Sequence, residues 1–81
     1  MYYAYVLRSK KDGDFYTGIT KDIERRLKEH NSGYQKSTKA RRPFELILKE
    51  EFRTRIEARQ REKHLKSGVG RNFLKLKYIL R

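Results

Sequence analysis

Tyr2-Tyr3-Ala4-Tyr5-Val6-Leu7-Arg8, Lys10-Lys11-Asp12-Gly13-Asp14 and Phe15-Tyr16-Thr17-Gly18-Ile19 decide the fold. Residues 2–8 are nearly all apolar or aromatic, a run that suits a strand covered on both faces. Asp12-Gly13 is a turn signal, so 2–8 and 15–19 are expected to pair as an antiparallel hairpin. Thr20 then stands where a helix cap belongs, with Asp22 and Glu24 in the positive first turn. That helix is expected to reach about His30 and to stop at Asn31-Ser32-Gly33.

Outward from this unit, residues 32–43 read as a polar loop with four cations (Lys36, Lys39, Arg41, Arg42) and no acid. Pro43 disfavours helix at Arg42. Phe44, Leu46 and Leu48 then alternate with Glu45, Ile47 and Lys49, which predicts a third strand. Thr54 and Glu57 have capping-box spacing and open a second helix that runs to about Lys66 and ends at Ser67-Gly68. Phe73, Leu74, Leu76, Tyr78 and Leu80 support a terminal helix over 71–80. The expected fold is α+β: a three-stranded antiparallel sheet flanked by helices, in the order β-β-α-β-α-α, with 1–81 as a single domain.

The 81 residues carry 22 Lys and Arg against 10 Asp and Glu, a net charge of +12. A polyanion is the natural partner, and nucleic acid is the commonest one. A ribosome-associated role, an anionic membrane surface or plain solubility would use the same charge. There is no cysteine, so disulfides and thiolate metal sites are excluded. No apolar run approaches the ~20 residues of a membrane span, and no signal-peptide pattern opens the chain. The expectation is a cytoplasmic protein with no membrane partner.

The chemical candidates lie on these same elements. Arg26 and His30 are four apart and share one face of the first helix. Tyr5 and Tyr16 sit on paired strands. Each has an ordinary reading as well: packing for a strand tyrosine, solvation for a helical arginine, a dipole partner for a histidine near a helix C-terminus. Brought together, two phenols, a guanidinium and an imidazole can hold a phosphodiester, since a guanidinium donates two parallel hydrogen bonds to phosphate. Glu62 falls between Ala58 and Leu65, inside the apolar stripe of the second long helix, where a carboxylate needs a partner. A salt bridge to a nearby Lys or Arg would serve, and so would a metal. A lone carboxylate without thiols suits Mg²⁺ or Mn²⁺, which bind oxygen and keep several waters.

At these residues the chain resembles the GIY-YIG nuclease family, in particular small stand-alone bacterial members similar to the amino-terminal nuclease domain of a bacterial excision-repair endonuclease. The two signatures stand here as Ala4-Tyr5-Val6 and Tyr16-Thr17-Gly18. The helix motif Arg26-Leu27-Lys28-Glu29-His30-Asn31, the segment Arg61-Glu62-Lys63-His64-Leu65-Lys66 and the run Lys66-Ser67-Gly68-Val69-Gly70-Arg71 also match. The sequence departs at Ala4, where the first signature has glycine, at Thr17, where the second has isoleucine, and at Ile19, where some repair members carry lysine. The resemblance implies cleavage of DNA by one divalent metal, Mg²⁺ or Mn²⁺, held by Glu62. It implies that Arg26 stabilises charge on the phosphate, that Tyr5 and Tyr16 orient or deprotonate the attacking water, and that His30 assists. Gly18, Asn31, Lys36, Lys39, Arg41 and Arg42 are the expected nucleic-acid contacts. Two alternatives remain: a non-catalytic nucleic-acid-binding domain that kept the fold, and a protein that acts only when a partner delivers the substrate.

Overall fold

The computed structural model describes residues 1–78. Its middle strand, β1 (Tyr2–Ser9), pairs antiparallel with β2 (Phe15–Thr20) on one edge and with β3 (Phe44–Phe52) on the other. Tyr5 lies opposite Gly18 and Leu7 opposite Tyr16 in the first ladder. The second ladder shifts register between Val6 and Leu7. A central strand has both faces covered, which is why Ala4, Tyr5, Val6 and Leu7 are all buried.

Successive β1 residues enter opposite cores. Tyr5 and Leu7 join Phe44, with Tyr16, Ile23, Leu27 and Leu46 packed around them. Val6 joins Leu65 and Leu74, with Phe15, Ile47, Leu48 and Tyr78 around them. Helix α1 (Ile23–Ser32) thus covers one face, while α3 (Arg55–Lys66) and α4 (Gly68–Tyr78) cover the other. The expected sheet and the order of its long elements are present.

Several boundaries differ from the expectation. Thr20 does not cap α1, because it is still paired with Tyr3 in the ladder. Its hydroxyl accepts from the Asp22 N–H, and Asp22 is the cap, its carboxylate accepting from the Arg25 N–H. Helix α1 continues past His30 to Ser32 and ends at Gly33, whose φ of 81° is the left-handed cap that glycine supplies. The polar loop contains a short helix, α2 (Lys36–Lys39), with Thr38 fully buried. The capping box at α3 forms in part: the Glu57 N–H donates to the Thr54 hydroxyl, which itself donates to the Glu57 carboxylate. Helix α4 begins at Gly68, earlier than the expected residue 71, and residues 79 and 80 lie outside the described residues. Gly70 sits directly on the α3 backbone at His64 and Leu65, an approach that a Cβ would prevent.

The segment after α1 is tied down at several points. The Asn31 amide takes both backbone groups of Phe44, donating to its carbonyl at 3.1 Å and accepting its N–H at 2.6 Å. The buried Ser9 hydroxyl donates to the Arg41 carbonyl while accepting the N–H groups of Lys11 and Asp12. The Lys10 N–H donates to the Pro43 carbonyl at 2.8 Å.

Candidate active site

Four of the expected residues converge on the α1 face of the sheet. His30, near the end of α1, is wholly buried. Its ring lies 4.7 Å from Tyr16 and 5.9 Å from Phe44 between centroids, and its Nε2 is 3.3 Å from the Tyr5 hydroxyl. The two tyrosine rings are 6.5 Å apart. Both strands therefore turn their phenols to the same side, as the Leu7–Tyr16 and Tyr5–Gly18 register requires.

Gly18 faces Tyr5 rather than an outside partner. A Cβ there would stand 2.7 Å from the Tyr5 hydroxyl oxygen, so the missing side chain makes room for the phenol. Glycine in a strand commonly marks such a close approach. The room that Gly18 leaves is thus taken by the Tyr5 phenol.

Arg26 completes the group. Its guanidinium donates to Glu29 at 3.0 Å, yet Nε is buried and has no acceptor, the only such buried side-chain atom among the described residues. Buried donors are nearly always satisfied, and an orphan calls for an explanation. Burial works against the Arg26 charge, but the neighbouring Tyr5 phenol and Glu29 carboxylate outweigh it and hold the pKa above its ordinary value. The reciprocal effect on Tyr5 is only partial. Burial pushes the phenol up, Arg26 draws it back, Tyr16 and Glu62 push it further, and the net pKa is raised. Arg26 does pull the Tyr5 pKa down, but burial outweighs it, and Tyr5 in this structure is a neutral phenol.

Glu62 is buried, as its place on the helical stripe requires. Its two oxygens are each met by a cation: Arg59 at 2.7 Å on Oε1 and Lys66 at 3.1 Å on Oε2. Burial alone would raise its pKa, but these two partners overcome that and lower it, so the carboxylate is ionised at neutral pH. It lies close enough to Tyr5 to act on the phenol through its charge. No group of three His, Asp or Glu able to hold a metal exists among the described residues. An ionised single carboxylate fits an oxygen-seeking cation that keeps most of its waters. Its present partners, both about half exposed, would have to give way.

The expected nucleic-acid contacts divide. Asn31 is occupied by the Phe44 backbone. Arg41 turns inward, pairing with Asp12 at 2.9 Å, reaching the Phe15 carbonyl and lying over the Phe44 ring. Lys36, Lys39 and Arg42 are exposed, and with Ala40 and Lys11 of the hairpin turn they line an acid-free depression of about 450 Å³. Lys11 was not among the expected contacts; its separation from the loop by some 25 residues gives no local signal, and the Lys10–Pro43 bond, the Ser9–Arg41 bond and the Arg41–Asp12 pair bring the two together. Thr38, hydrogen bonded to His30, was also missed.

The comparisons with known proteins agree with this architecture. The family described as the GIY-YIG catalytic domain matches residues 1–75. A UPF0213 protein of Staphylococcus saprophyticus is 45% identical over 93% of this chain and 92% of its own length. A UPF0213 protein of Staphylococcus epidermidis is 38% identical over the same shares. The solution NMR structure of a UPF0213 protein from Bacillus halodurans is similar with a TM-score of 0.56 at 38% identity, covering 96% of this chain and 86% of that one. No helix among the described residues is long and apolar enough to cross a membrane.

Proposed function

We propose that this chain, which belongs to the GIY-YIG catalytic domain family and is related to the UPF0213 proteins, is a metal-dependent endonuclease hydrolysing DNA phosphodiester bonds. The observation that carries the reading is the unsatisfied Arg26 Nε beside the Tyr5 hydroxyl. The Arg26 side chain as a whole is 28% exposed, so a phosphate oxygen can reach the guanidinium, and a partly desolvated guanidinium stabilises the charge that grows there during hydrolysis. Tyr5, as a neutral phenol, orients the attacking water, Tyr16 orients or deprotonates it, and His30 holds Tyr5. Glu62 would hold Mg²⁺ or Mn²⁺ in place of Arg59 and Lys66. When bound, such an ion polarises the phosphoryl oxygen and stabilises the leaving oxygen.

Lys11, Lys36, Lys39 and Arg42 bind flanking phosphates, which positions a strand without reading its bases. Like the nuclease domain of an excision-repair endonuclease, which it resembles, the chain would act on DNA structure rather than sequence, in repair or recombination. One observation favours the rival, a non-catalytic nucleic-acid-binding domain: the Glu62 charge is already neutralised by Arg59 and Lys66. Incubation with single-stranded, nicked and branched DNA in Mg²⁺, Mn²⁺ or chelator separates the two. Cleavage that chelator abolishes is expected, and Glu62→Gln is expected to eliminate it while leaving DNA binding intact. Binding without cleavage of any substrate would establish the rival, and a fully active Glu62→Gln would take Glu62 out of the site.

A further inference from the structure

Thr38 is a threonine with no exposure, carried on a four-residue helix in a loop otherwise made of polar and basic residues. Its hydroxyl is 2.9 Å from His30 Nδ1 and 3.4 Å from the Gln35 carbonyl. On the other side of the imidazole, Nε2 is 3.3 Å from the Tyr5 hydroxyl. Thr38, His30 and Tyr5 therefore form one buried chain, continued by the part-buried Gln35 carbonyl, which also accepts the N–H groups of Thr38 and Lys39.

The chain has three protons to place when the imidazole is neutral, one on each of the last three members. With the ring proton on Nδ1, His30 donates to Thr38, Thr38 donates to the Gln35 carbonyl, and Tyr5 donates to Nε2. Every donor then has an acceptor. With the ring proton on Nε2, His30 donates to Tyr5 and Thr38 donates to Nδ1, and the phenol proton has no acceptor among the described residues. Burial, with Arg26 nearby, favours the neutral ring against the pull of Glu29.

We propose that Thr38 is a positioning residue which, by accepting the Nδ1–H, holds His30 in the tautomer that presents the Nε2 lone pair to Tyr5. The Tyr5 proton is then turned inward, and the lone pairs of its oxygen face the side where Arg26 stands. A phenol so arranged accepts a hydrogen bond from a water, which is what orienting a nucleophile for attack on phosphorus needs. The proposal rests on the reading of Tyr5 and His30 as the groups that handle this water. It adds the residue that sets their polarity.

The test uses Thr38→Val, which keeps the side chain's shape without the hydroxyl, and Thr38→Ser, which keeps the hydroxyl. Long-range ¹H–¹⁵N spectra of the DNA-free protein read the His30 tautomer directly. The parent and Thr38→Ser are expected to show Nδ1 protonated, and Thr38→Val to show a mixture or the Nε2–H form. In cleavage assays Thr38→Val is expected to lower kcat about tenfold or more with KM unchanged, the lower range of losses when a histidine's orienting partner is removed. Thr38→Ser is expected to restore it. A parent protein with Nε2 protonated overturns the proposal, as does Thr38→Val with the parental tautomer and kcat. Should Thr38→Val not fold, the parent and Thr38→Ser spectra decide the matter. Should the parent cleave no DNA, the nuclease reading fails on its own, while the spectra still answer for Thr38.

Discussion

The two faces of the sheet are covered in different materials. Beneath α3 and α4, Val6, Leu65 and Leu74 pack with Phe15, Ile47 and Leu48, and the contact is apolar. Beneath α1, Tyr5, Tyr16 and Phe44 share their layer with His30, Thr38 and the Arg26 guanidinium. The first face contributes burial, which is favourable wherever it occurs. The second holds polar groups that must each find a partner, and leaves one donor without any. The first face keeps the chain folded; the second holds the tyrosines, His30 and Arg26 at some cost in stability, while Glu62 comes from α3.

The comparison is tested most severely by Leu74→Ala. It removes a fully buried side chain from the apolar face and is expected to cost about 2–5 kcal/mol, read by urea denaturation. Turnover per folded molecule is expected to stay at the parental value. A fall in kcat matching the loss of stability would mean that the faces are not separate.

Arg26→Ala makes the opposite demand. Turnover is expected to drop about 10²–10³-fold, close to 3–4 kcal/mol in the barrier. The denaturation midpoint should hold steady or rise, because the variant no longer buries an unsatisfied N–H. Parental cleavage by Arg26→Ala would remove the guanidinium from the reaction.

The smallest effect concerns pH. Burial, reinforced by Arg26, holds the His30 imidazole below its ordinary pKa of 6.5, while Glu29 resists. The unfolded chain thus takes up a proton that the folded chain refuses. This contribution to stability is complete above about pH 6.5 and declines as pH falls toward the folded-state value, by up to about 1.4 kcal/mol per pH unit. His30→Gln is expected to flatten that part of the curve in urea titrations at several pH values. Equal slopes in parent and variant would place the proton elsewhere.

The apolar face was legible in the sequence because burial there follows period: continuous in β1, alternating in β3, and stepped by helical turns in α3. Glu62 was legible for the same reason. Its carboxylate interrupts the Ala58–Leu65 stripe, and Arg59 and Lys66 lie three residues before and four after it, where helical partners are found. Thr38 was not, since it is buried through hydrogen bonds and no periodicity marks it. Nor was the division among the loop cations. Arg41 turns inward because Asp12 and the Phe15 carbonyl await it 29 and 26 residues away, which composition cannot express. The cap at Asp22 was missed because the ladder holds Thr20 in the strand.

The anchoring of residues 33–43 by Asn31, Ser9 and Lys10 has a further consequence. The backbone at Arg41, Pro43 and Phe44 is fastened by Ser9, Lys10 and Asn31, and Thr38 by His30, none of which uses the side chains of Lys36, Lys39 or Arg42. Those three side chains form an exchangeable cassette. Its charge pattern can be rewritten to suit a new polymer, by evolution or by design, while the framework under the tyrosines stays where it was.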